Sequence, residues 1–201
     1  MNLALTGYRG SGKTSISNAL SILIGWEKVE IDKEIEKTFN MKIPQIINVY
    51  GWKEFRLCEF NLIKEYSKYD NLVLDLGGGA ILNEDNMKNI KNNGIIIFLN
   101  CHPAILIERL KNSKIRPPLT NLNLAEEVIT TLFERITLYL KYADYSINTG
   151  YRSITECTFQ IFSLLLYSYK LLRINDGLSI FKPKQVEMLI NKNIFLMTKE
   201  F

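Results

Sequence analysis

The sequence predicts an α/β fold: a three-layer sandwich with a five-stranded parallel sheet covered by helices on both faces. Three observations carry this. Five short apolar runs are separated by amphipathic stretches, the pattern of strands buried on both sides. The first run ends directly on a glycine-rich loop that opens an amphipathic stretch, so strand, turn and helix follow without a break. The chain of 201 residues is 47% hydrophobic and 23% charged, enough apolar material for one well-buried core.

The elements read in order as follows. "LALT" (Leu3 to Thr6) is the first strand, and Ile16, Ala19, Leu20 and Leu23 then repeat at i, i+3, i+4, i+7, the stripe of a helix packed on a sheet. "KVEI" (Lys28 to Ile31) is the second strand, with Asp32 at its end and a helix through Ile35 and Phe39 beyond it. Helical patterns cover Pro44 to Tyr50 and Trp52 to Lys68. "NLVLDL" (Asn71 to Leu76) is the third strand, Glu84 to Asn92 a helix, and "IIIFLN" (Ile95 to Asn100) the fourth strand. Pro103 to Lys111 is helical, with proline at a first-turn position where its missing N–H costs nothing. Ala125 to Lys141 is the last helix read, and "YSINT" (Tyr145 to Thr149) the fifth strand. The linker "KNSKIRPPLTNLN" (Lys111 to Asn123) is longer than the usual connection of about 4 to 6 residues and reads as a mobile lid. Beyond Tyr169 the chain continues without an assignable place on the sheet.

Charge excludes little but points away from nucleic acid. The net +4 is spread over 25 basic and 21 acidic side chains, so no nucleic-acid groove is implied. Cys58, Cys101 and Cys157 form no CxxC pair, which favours buried thiols in a reducing compartment. The phosphate motif starts too early to leave room for a signal peptide, and no apolar run approaches the roughly 20 residues that span a bilayer. A cytoplasmic monomer without membrane contact is expected.

"GYRGSGKT" (Gly7 to Thr14) satisfies G-x-x-x-x-G-K-S/T. Small residues let successive N–H groups point inward, the following helix aims its positive end at phosphates, Lys13 reaches the β/γ oxygens, and the Thr14 hydroxyl ligates Mg²⁺. Gly10, Ser11, Gly12, Lys13, Thr14 and Ser15 are therefore candidate ATP contacts. "VLDLGGGA" is the second landmark: three glycines after a buried strand make poor secondary structure, so a ligand or another backbone comes close there. Asp75 reads equally as a carboxylate holding Mg²⁺ through water and as a hydrogen-bonded strand-end aspartate.

Taken with the phosphate loop, several separated segments resemble the shikimate kinase family, whose members share a nucleoside-monophosphate-kinase-like fold. "VEIDKEIE" is similar to the family's D-x-D segment followed by Ile-Glu, "GWKEFRLCE" to its G-x-x-x-F-R-x-x-E, and "LGGGAIL" to its triple-glycine turn. "RPPL" resembles the lid R-P-L, and "ERITLYLKYAD" the R-x-P-L-Y-x-x-x-A-D segment; the match runs from about Leu3 to about Ile161 in the expected order.

The resemblance implies the strand order 2-3-1-4-5, a kinase domain over residues 1–169 with an acceptor-binding region at about 30–66 and a lid at about 111–124, and an extension at 170–201. It implies ATP-dependent phosphorylation of the 3-hydroxyl of shikimate, with Mg²⁺ as cofactor. Arg56 and Arg135 would clamp the acceptor's carboxylate as two guanidinium forks. Glu59, three residues from Arg56, would orient it. Asp32 would hold the acceptor's hydroxyls and take the proton, or cap the helix that follows. Gly78 and Gly79 would offer backbone N–H groups, Arg116 would close over the transferring phosphate, and Arg109 would stack on adenine or serve only as a helix-end charge. The alternatives are another small-metabolite kinase, for gluconate or a nucleoside monophosphate, and a non-catalytic binding protein. Four positions depart from the family pattern: Glu30 replaces its first strand-end aspartate, Trp52 a common glutamate and Thr137 a proline, while Lys141 stands at an often acidic place. Trp52 is expected to alter a surface or hinge contact only.

Overall fold

A computed structural model describes residues 1–111 and 122–176, with side chains through residue 167. Five strands form one sheet in the order β2-β3-β1-β4-β5, and every neighbouring pair is parallel. The strands are β1 (Asn2–Thr6), β2 (Glu27–Glu30), β3 (Leu72–Asp75), β4 (Gly94–Asn100) and β5 (Tyr145–Asn148). Between and after them run α1 (Lys13–Ile24), α2 (Ile31–Phe39), α3 (Ile43–Tyr66), α4 (Glu84–Lys91), α5 (Pro103–Lys111), α6 (Leu124–Tyr142) and α7 (Ile154–Asp176). This is the fold class and strand order expected.

Alternation along the strands builds the three layers. Ala4, Leu72, Leu74, Ile96 and Phe98 face one core, shared with Ile31 and Ile35 of α2, Phe55 and Ile63 of α3, Ile90 of α4 and Val128 of α6. Their sequence neighbours Leu3, Leu5, Val73, Ile97 and Leu99 face the other, closed by Ile16 and Leu20 of α1 and Cys157, Ile161 and Leu165 of α7. Successive strand side chains point to opposite faces, so an uninterrupted apolar run fills both cores at once. The carboxyl ends of all five strands then share one edge, where ligands of such sheets bind.

Four details differ from the sequence reading. β2 ends at Glu30, one residue early, and α2 begins at once with Glu30 as its extended N-cap residue (φ −95°, ψ 104°). Asp32 is therefore neither the strand end nor the helix cap; it lies in the first turn of α2, where a carboxylate suits the helix dipole. The two patterns at 44–50 and 52–68 form the single element α3, broken by non-helical Gly51 (φ 81°, ψ 169°). The sequence reading missed α7, whose apolar positions close the second core. The segment 112–121, with Arg116 and most of the expected lid, and residues 177–201 lie outside the described residues. Among the described residues no helix is long and apolar enough to cross a membrane, and the three cysteines are free thiols, two of them buried.

Candidate active site

The donor half is built by the turn from β1 to α1. Gly12 sits at the N-cap in the left-handed region (φ 94°, ψ 10°), which only glycine adopts without strain. The loop thus delivers its backbone into the N-terminus of a 12-residue helix, a natural anion site. Lys13 is buried, and its Nζ donates to the Gly7 carbonyl (2.9 Å) and the Tyr8 carbonyl (3.2 Å), so the ammonium lies along the inside of the loop. The Thr14 hydroxyl donates to Asp75 Oδ2 at 2.7 Å, joining the helix start to the end of β3. A hydroxyl and a carboxylate side by side are the donor set Mg²⁺ uses when phosphates and waters complete its octahedron.

A cavity of about 460 Å³ opens beside this loop, lined by Gly10 to Ile16 and, across from them, Arg109, Leu110, Thr149, Arg152, Ser153 and Ile154. Among the described residues, every predicted ATP contact borders it. Arg109 is no simple helix-end charge: its guanidinium donates to the Gly10 carbonyl (3.2 Å) and the Thr149 carbonyl (2.8 Å), bridging the phosphate loop and the end of β5. Arg152 and Ser153 escaped the sequence reading. They stand in a short turn after β5 with no motif of their own, and only the fold carries that turn to the cavity wall.

The residues expected to bind the acceptor gather on the triple-glycine turn. Arg56 Nη1 donates to Glu59 Oε2 at 2.6 Å, and the Glu59 side chain is only 1% exposed, so this is no surface ion pair. A Cβ at Gly79 would run into the Arg56 guanidinium, and one at Gly77 would stand 2.7 Å from Asp32 Oδ1 and 3.0 Å from Glu59 Oε1. A side chain at either glycine would thus displace the ends of the side chains packed against it. The Gly78 carbonyl accepts from Arg135 Nη1 (3.1 Å) and from the Tyr139 hydroxyl (2.7 Å). Tyr139, a residue for which no role is expected from the sequence, stacks flat on Phe98 (4.7 Å, 6°) and fixes the turn. Gly78 also abuts the donor half: a Cβ there would be 3.2 Å from the Gly7 carbonyl.

Electrostatics confirm the convergence. Burial pushes the Glu59 carboxyl above its ordinary value and Asp32 pushes the same way, against the opposing pull of Arg56 and Arg135, so Glu59 senses all three groups. Burial pushes the Tyr139 hydroxyl up to about 12, so it stays a donor. Glu30 behaves differently. Burial would raise its carboxyl, but hydrogen bonds and charge from Lys28 and Lys33 outweigh this and hold it below the usual value. Its Oε1 contacts Lys28 at 2.8 Å and Lys33 at 2.7 Å, so the longer side chain is engaged by lysines. His102 has a structural use, its Nδ1 accepting from the Ala104 N–H (3.3 Å) at the start of α5.

Comparison with known proteins agrees with this geometry. A family model described as shikimate kinase matches residues 9–166. A shikimate kinase from Caldicellulosiruptor saccharolyticus is 38% identical over 148 residues, covering 74% of this chain and 86% of that protein. The solved shikimate kinase of Acinetobacter baumannii, in complex with shikimate, superposes with a TM-score of 0.78 at 32% identity, covering 83% of this chain and 93% of that one. That of Bacteroides thetaiotaomicron gives 0.76 at 30% identity, with coverage of 83% and 98%. With a phosphate loop and an arginine-lined glycine turn facing each other across one sheet edge, the chain belongs to the shikimate kinase family.

Proposed function

We infer that this protein is an ATP-dependent phosphotransferase acting on the 3-hydroxyl of shikimate and releasing shikimate 3-phosphate and ADP, a step towards aromatic amino-acid precursors. One observation carries the choice of acceptor: Asp32, Arg56, Glu59 and Arg135 converge on Gly77 to Gly79, directly against the phosphate loop. Two guanidinium groups and a carboxylate suit a small hydroxylated carboxylic acid, whose acid group needs a cationic fork and whose hydroxyls need an acceptor. Membership of the shikimate kinase family supports the same reading over a gluconate or nucleotide kinase and over a non-catalytic binder.

In this reading residues 1–169 are the kinase domain and 170–201 an extension. Gly10 to Ser15 hold the phosphates, Lys13 leaves the loop carbonyls for the β/γ oxygens, and Arg109 borders the adenine side. Arg56 and Arg135 take the carboxylate, while Gly78 and Gly79 let the acceptor approach the backbone. Asp32 aligns the hydroxyl and accepts its proton as it attacks, a contribution of about 10² to 10⁴ for a positioned base. Arg116, in the lid at about 111–124, closes over the transferring group. Mg²⁺, held by Thr14 with Asp75 through water, would neutralise charge on the phosphates. Catalysis here is mostly alignment and charge neutralisation, and each named group does one or the other. We place the enzyme in the cytoplasm, in keeping with three free thiols, and take it to act as a monomer.

The test is ADP release with purified protein, ATP and Mg²⁺, offering shikimate, gluconate, AMP and CMP separately. Shikimate alone should stimulate release. Equal release without shikimate, or a preference for another acceptor, would overturn the assignment.

A further inference from the structure

Trp52 does more than alter a surface contact. Gly51, left-handed and with open space around its Cβ position, breaks α3 immediately before it. The helix restarts with Trp52, Phe55, Arg56 and Glu59 on one face. The indole lies under the Arg56 guanidinium, 5.3 Å from carbon to ring centroid, and Phe55 sits at 5.1 Å. The two rings meet edge to face at 5.6 Å and 82°, so they form one aromatic wall. Glu59 holds Nη1 on another side, and Nη2 lies against Gly79. Phe55 and Glu59 are buried, whereas Trp52 is 46% exposed. Trp52 is therefore the solvent-side ring against Arg56.

We propose that Trp52 is a positioning residue for the acceptor: its ring holds the Arg56 guanidinium flat so that the free edge of the fork faces the incoming carboxylate. This rests on reading Arg56 as the carboxylate clamp. An arginine has several rotatable bonds, and with Phe55 as its one remaining ring the guanidinium loses its solvent-side support and samples orientations that miss a bidentate pair. The ring acts through its π face, which an aliphatic side chain of similar bulk lacks. The effect belongs to acceptor binding, since Trp52 is not among the residues lining the nucleotide cavity.

Steady-state kinetics on Trp52→Leu and Trp52→Phe, beside Arg56→Ala, test the proposal. Trp52→Leu should raise the KM for shikimate about three- to thirtyfold, with kcat and the KM for ATP each within about twofold of the parent chain. Trp52→Phe should recover most of the loss. Equal shikimate KM values for the Leu and Phe variants, or a matching rise in the ATP KM, would overturn it. Should the Leu variant fail to fold, Trp52→Gln takes its place with the same expectations. Arg56→Ala separates the two levels: if it leaves shikimate KM unchanged, the clamp reading has failed; if it raises KM while the Trp52 variants do not, only the present proposal has.

Discussion

At Gly79 a single hydrogen stands where any other residue would meet the Arg56 guanidinium. The obstructing atoms belong to the far end of a flexible side chain, so Gly79→Ala should cost little stability while displacing the guanidinium proposed as the acceptor clamp. We expect a thermal midpoint within a few degrees of the parent and a shikimate KM raised about tenfold or more, the loss of a charged hydrogen bond. An unchanged KM would show that Arg56 does not work from that position. Glu59 supplies a pH signature. Burial raises its value in the folded state, so the native chain holds this proton more tightly than the unfolded chain does. Its own contribution to stability is then fully present below the ordinary value of 4.5 and is lost as pH rises through the raised value. Denaturant titrations of Glu59→Gln and the parent should therefore diverge in the variant's favour as pH rises above the ordinary value of 4.5. A constant difference would contradict the burial-driven shift.

Among the elements, α6 ties the two halves of the site together. Its first turn carries Glu127, buried and paired with buried Arg9 of the phosphate loop. Two turns later the same helix presents Arg135, and then Tyr139, to the Gly78 carbonyl. A buried ion pair contributes little over an apolar pair of the same shape, yet removing one partner strands the other charge. Glu127→Ala should lower unfolding free energy by about 3–5 kcal/mol, whereas Arg9→Met with Glu127→Leu should stay close to the parent. Urea denaturation checks both, and a cost below about 1 kcal/mol for Glu127→Ala would show that the pair is not desolvated as its burial indicates.

For the whole molecule, the family match ends at residue 166, and among the residues with described side chains Leu165 and Leu166 are the last to pack in the second core. Deleting residues 177–201 should therefore preserve the fold and the shikimate-dependent release of ADP; an insoluble or inactive truncation would make that segment part of the working enzyme. Much of this architecture was legible in the sequence because it is written locally. A strand, a G-x-x-x-x-G-K-T loop and a helix of fixed period need no distant partner to be recognised, and the parallel sheet follows from apolar runs separated by helices. The family's residue types at Asp32, Arg56, Gly77 to Gly79 and Arg135 could likewise be read in order.

The amino-acid order by itself determined the donor chemistry and the layered fold, since both depend on short-range pattern. Only the tertiary structure decided how the scattered groups are used. It moved Asp32 from a strand end into the first turn of α2, buried Glu59 beneath a partly exposed Arg56, and set Glu30 between two lysines. It also brought Arg152 to the cavity wall and Trp52 beneath Arg56. Those outcomes depend on burial and on contacts between elements, and a side chain's desolvation is a property of everything folded around it.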